Sequence, residues 1–120
     1  RYVKFSTQSD ENSETCPSTP GQRVLGEALV EEMRAMGIAD ARSDEFAYVY
    51  GTLPATPGCE DAPALGLLAH MDTAPAFSGK DVNPILHANY DGGDVILEGS
   101  GAALSPSEFP ELLHRKGRYF

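Results

Sequence analysis

His70 and Asp72 stand two positions apart at the end of an apolar run, in LGLLAHMDTAPAFSGK, residues 65–80. A neutral imidazole is a good zinc ligand, and a carboxylate beside it can hold the ring or a catalytic base in orientation. Side chains at i and i+2 of an extended chain share a face, so His70 and Asp72 are expected to project together while Met71 points away. Taken alone, the tripeptide favours a histidine bonded to a turn over a metal ligand. A wider pattern is needed to make it a site.

The other polar residues favour structural roles. His87 falls in an expected strand and His114 in a terminal helical stretch rich in Arg and Lys, so solvent or core hydrogen bonding accounts for both. Asp91 and Asp94 flank a Gly-Gly pair and read as turn formers. GSGAALS has neither phosphate-loop spacing nor a nucleophile elbow. Cys16 and Cys59 lie in turn-rich sequence without CxxC spacing, and are expected as two unpaired thiols. Tyr48 and Tyr50 read as packing residues of a strand.

An apolar run from Ala64 to Met71, bounded by Pro63 and Pro75, is short for a helix and suits a strand covered on both faces. The carboxyl end of such a strand faces the crevice where open α/β sheets bind ligands. Ahead of it, Thr19, Pro20 and Gln22 predict a helix start with a capping box. Val24, Leu25, Ala28, Leu29, Met33 and Met36 recur at helical spacing, and Gly37 closes the helix. Residues 6–22 read as an irregular loop, and ARSDEFAYVYGTLPA as two short strands. Further on, PILHANY and DVILEG read as strands around the turn DGGD, and SPSEFPELLHRKG as a helical turn, with Ser105 and Glu108 as caps or the helix proper starting at Pro110. The fold class expected is α/β.

The chain has 120 residues, with nine Lys+Arg against eighteen Asp+Glu and a net charge of −9. That balance argues against a nucleic-acid partner. No apolar run approaches the roughly 20 residues of a membrane span, and no signal-peptide pattern is visible, so a cytoplasmic protein is expected. RYVKF lacks an initiator Met and reads as a helix entered midway, while HRKGRYF stops just after a helix terminus at Gly117. The sequence reads as a piece of something longer.

The wider pattern exists. LLAHMDTAPAFSGKDVNPILHANYDGGDVIL and LSPSEFPELL, with RYVKFSTQSDENSETCPST and DEFAYVYGTLPA ahead of them in order, closely resemble the amino-terminal part of the peptidase T family of tripeptide aminopeptidases, among the dinuclear zinc exopeptidases. HMDTAP marks the wider superfamily of dipeptidases, carboxypeptidases and N-acyl deacylases, whereas SGK, NYDGGD and LSPSEFP point to the tripeptidases.

The resemblance implies a partial zinc-exopeptidase catalytic domain of the phosphorylase/hydrolase-like type, with a mixed β-sheet flanked by helices. Residues 1–120 would be its amino-terminal part, with the lid and dimerisation domain absent. It implies zinc, two ions per active site, with His70 as a metal ligand and Asp72 as a catalytic residue beside it. Tripeptides are the implied substrates and a homodimer the implied assembly of the whole protein. The family's bridging aspartate, Glu-Glu pair, further carboxylate and final histidine have no match here, so this polypeptide alone is expected to be inactive. The alternatives are a non-catalytic truncated α/β interaction module and a related dipeptidase or deacylase.

Overall fold

The computed structural model describes residues 1–119, and the chain divides into two compact units, Arg1–Asn83 and Pro84–Phe120.

The first unit is organised by α1, Pro20–Ala35. Pro20 sits at the first helical position, where its missing N–H costs nothing. Gly37, at φ +93°, ends the helix: its amide donates to the Arg34 carbonyl at 2.9 Å and the Ile38 amide donates to the Met33 carbonyl at 3.0 Å. This is the paired 5→2 and 6→1 closure that a left-handed residue permits. The expected capping box does not form. The Thr19 hydroxyl donates instead to the Gln8 carbonyl at 2.9 Å, and the Gln22 amide nitrogen reaches Ser18 Oγ at 3.0 Å. Tertiary bonds outcompete the local cap.

The helix buries Leu25, Gly26 and Val30, whereas Val24 and Met36 are exposed, so the buried stripe is narrower than the sequence spacing suggested. Its partner is an antiparallel hairpin of β1, Arg42–Ser43, and β2, Val49–Tyr50. Both strands fall within the stretch that sequence assigned to two short strands. The hairpin turn is built on Asp44, whose Oδ1 accepts the amides of Phe46 and Tyr48 at 3.0 and 2.9 Å. Gly26 lets the hairpin close onto the helix, with Val49 Cγ2 3.4 Å from where a Cβ would stand. A 3-10 turn at Tyr2–Lys4 lies ahead, where sequence expected helix, and Arg1 pairs with Glu32 of α1 at 2.8 Å.

Residues 64–71 correct an expectation. They form no strand, and Leu65, Leu67 and Leu68 are 84%, 89% and 96% exposed. A doubly covered strand takes its hydrogen bonds from neighbours on both sides, and no described residue supplies them here.

In the second unit, β3, Val95–Ile96, pairs antiparallel with β4, Ala103–Leu104. A 3-10 helix, Pro110–Arg115, follows. Tyr90, Val95 and Leu112 are buried together with Leu104 against them. PILHANY is not a strand; Tyr90 is tied back, its amide donating to the Arg118 carbonyl and its carbonyl accepting the Gly117 amide. The helical segment does start at Pro110, with Glu108 and Phe109 amides bonded to the Ser105 carbonyl rather than to a side-chain cap. DGGD is a turn: Asp91 Oδ1 accepts the Gly93 amide at 2.8 Å, with Gly92 at φ +94°. Helix and short strands together make a small α/β arrangement, with antiparallel hairpins and one isolated parallel bridge, Gln8 to Thr73.

Candidate functional site

His70 and Asp72 do meet. Nδ1 of His70 lies 2.9 Å from Oδ1 of Asp72, although neither residue belongs to a strand. The i, i+2 relation is enough to bring them together.

The pair is accessible, with side-chain exposures of 84% for His70 and 41% for Asp72. The hydrogen bond from His70 holds the Asp72 carboxyl below its usual range, and the Ser9 hydroxyl adds to the effect against a desolvation penalty. An ionised carboxylate only accepts, so the contact requires a proton on Nδ1. In the neutral imidazole the lone pair is then on Nε2, pointing away from Asp72.

The backbone just beyond Asp72 is fixed from the far end of the first unit. The Thr73 amide donates to the Thr7 carbonyl at 3.2 Å, and the Ser9 amide donates to the Thr73 carbonyl at 3.0 Å. Sequence reasoning missed Thr7, Gln8 and Ser9, because composition marks residues 6–22 only as irregular. An open depression of about 580 Å³ is lined by Gln8, Ser9, Asp10, Thr19 and Pro75 among others, and by neither His70 nor Asp72.

An imidazole with Nε2 open and Nδ1 tied to a carboxylate has the arrangement of a metal-binding histidine with its orienting partner. The donor set fits one ligand position. Among the described residues no group of three or more His, Cys, Asp or Glu side chains could hold a metal ion. Cys16 and Cys59 are both exposed free thiols. No helix among the described residues is long and apolar enough to cross a membrane.

No protein-family model matches the chain. At the level of class, the chain is similar to peptidases, hydrolases of peptide bonds. The particular likeness is to peptidase T: over 118 residues the chain is 54% identical to "Peptidase T" of Geobacillus kaustophilus (strain HTA426), a match covering 98% of this chain and 28% of that protein. It is 52% identical to that of Bacillus subtilis (strain 168), over 97% of this chain and 28% of the relative. With that of Listeria innocua serovar 6a it shares 47% identity over 98% of its length and 29% of the relative's. The chain thus spans less than a third of the length of these curated relatives.

Proposed function

We propose that this chain is the amino-terminal section of a zinc-dependent aminopeptidase that releases the first residue of tripeptides, leaving a dipeptide. The observation that carries the reading is the 2.9 Å contact of His70 with Asp72, within a sequence 54% identical to peptidase T. The domain would be part of a zinc-exopeptidase catalytic domain working in the cytoplasm, and the whole protein a homodimer.

In this reading His70 presents the Nε2 lone pair to one of two zinc ions, and Asp72 fixes the ring and balances the charge that gathers on it. Zinc bound there would polarise the scissile carbonyl and activate water. What this chain contributes is one oriented ligand and its carboxylate companion. Three protein ligands plus water are the usual minimum for catalytic zinc, so these two side chains alone do not make a hydrolase.

The test uses the full-length protein that carries this segment. Purified enzyme is expected to hold zinc and to cleave tripeptides, with His70→Ala lowering zinc content and both His70→Ala and Asp72→Ala cutting turnover by about 10–100-fold or more. Unchanged turnover in both variants would remove the assignment. For the 120-residue chain itself, calorimetry is expected to show no tight stoichiometric zinc uptake, and submicromolar binding would contradict that.

A second reading, a non-catalytic interaction module, is favoured by the exposure of Leu65, Leu67 and Leu68. Tripeptide cleavage by the full-length protein separates the two, and comparison with dipeptides and N-acyl amino acids separates the tripeptidase from a related dipeptidase or deacylase.

A further inference from the structure

The segment that follows Asp72 closes on itself. A Cβ on Gly79 would stand 3.0 Å from Thr73 Oγ1, so the chain that leaves Thr73 is back against it at Gly79. The base of this loop is fixed: the backbone of Thr7 and Ser9 grips Thr73 in the parallel bridge, and Gln8 Nε2 donates to the Pro75 carbonyl at 3.2 Å. At its other end the Ser78 hydroxyl accepts the Lys80 amide at 3.2 Å, and Asp81, at φ +56°, turns the chain away. Lys80 is therefore carried on an anchored loop, one residue beyond the contact that returns the chain to the neighbour of Asp72.

Lys80 is the one Lys or Arg between Arg42 and Arg115. It is exposed, and among the described residues it enters no ion pair, although Asp81 follows it directly and the chain carries twice as many acids as bases. SGK, which ends at Lys80, is one of the motifs singled out above, and the roles given to His70 and Asp72 do not use it.

A tripeptide brings a requirement of its own. Its terminal carboxylate is an anion approaching a chain of net charge −9, and it is repelled unless a cation meets it. When the first peptide bond is the one cut, that carboxylate lies two residues further on, roughly 7 Å along an extended chain. An ammonium on a flexible four-carbon stem, rooted close to Thr73, can reach over such a span. A neutral His70 and an ionised Asp72 offer the carboxylate no positive charge.

We propose that Lys80 is a specificity-determining residue: its ammonium pairs with the terminal carboxylate of the peptide whose first bond lies at the His70–Asp72 site. The inference rests on the tripeptidase reading given above and adds what that reading lacks, a group that recognises where the substrate ends.

The experiment compares one tripeptide as the free acid and as its carboxy-terminal amide, using the full-length protein. The parent is expected to prefer the free acid. Lys80→Met is expected to lower the ratio of the two kcat/KM values by about 10–100-fold, the factor for loss of one hydrogen bond to a charged group. Lys80→Arg, which keeps the charge, should keep most of the preference. A ratio unchanged in Lys80→Met, whether both substrates lose activity equally or neither does, would overturn the proposal. So would a Lys80→Arg protein as indifferent to the carboxylate as Lys80→Met. A parent that cleaves acid and amide alike removes this proposal and leaves the tripeptidase reading standing, whereas a parent that cleaves neither removes both.

Discussion

At the scale of single residues, carboxylates fix several local contacts. Asp72 takes His70, Asp44 takes the amides of its own turn, and Asp40 Oδ1 accepts the Thr52 amide at 2.8 Å, tying the loop after α1 to the chain after β2. The hydrogen bonds from Thr52 hold the Asp40 carboxyl below its ordinary range, with nearby Arg42 a minor contributor. A carboxyl lowered in the folded state stabilises the fold above its unfolded value, and that stabilisation is lost as pH falls through the folded one. Thermal unfolding is therefore expected to separate the parent chain from Asp40→Asn near neutral pH, with the gap closing as pH falls through and below the ordinary carboxylate range. A gap independent of pH would show that the bond does not depend on the charge. The His70–Asp72 contact was legible in sequence because it needs only the period of an extended chain. Ser9 was not, because 64 positions separate it from Thr73, and a loop rich in Ser, Thr and Asp says nothing about what it will touch.

At the scale of elements, α1 was legible because its signals are local: Pro at the first position, apolar spacing near 3.6, and Gly just past the end. Its cap was not, because the Thr19 hydroxyl answers to Gln8 rather than to its own helix. The expected strand at residues 64–71 failed for a related reason: strands are made by neighbours, and apolar composition cannot report whether neighbours are present. The helix ends supply two tests of opposite background. Gly→Ala within a helix ordinarily stabilises by about 0.5–1 kcal/mol. Gly21→Ala should reverse that sign, because the new Cβ would run into the Ser6 carbonyl, which is backbone and cannot swing aside. A loss of about 1–3 kcal/mol in urea unfolding is expected, as for other overpacked sites. Gly37→Ala meets no neighbour within 4 Å but forces a Cβ into φ +93°, so it should cost about 1 kcal/mol through backbone strain alone. Stabilisation by Gly21→Ala would mean that the chain at Ser6 is not seated on α1.

At the scale of the whole molecule, a net charge of −9 opposes an uncovered apolar segment. Residues 64–69, ALGLLA, carry no charge, and their three leucines are among the most exposed side chains of the chain. Burying each would contribute about 1.5–3 kcal/mol. A segment whose backbone donors and acceptors find no partner among the described residues is also open to strand pairing. The acidic surface works the other way, because like-charged copies repel, and salt removes that repulsion over distances beyond about 10 Å at 0.1 M. The 120-residue chain is therefore expected to self-associate, with the associated fraction in sedimentation velocity rising with protein concentration and rising again with added salt. Leu67→Lys with Leu68→Lys should abolish association while leaving the melting temperature unchanged, since both side chains already face solvent. A chain that stays monomeric in high salt at high concentration would show that the segment is screened in some other way. Association undiminished in the double variant would move the contact to another surface. Loss of association on adding salt would make it electrostatic, the opposite of what six uncharged residues can provide.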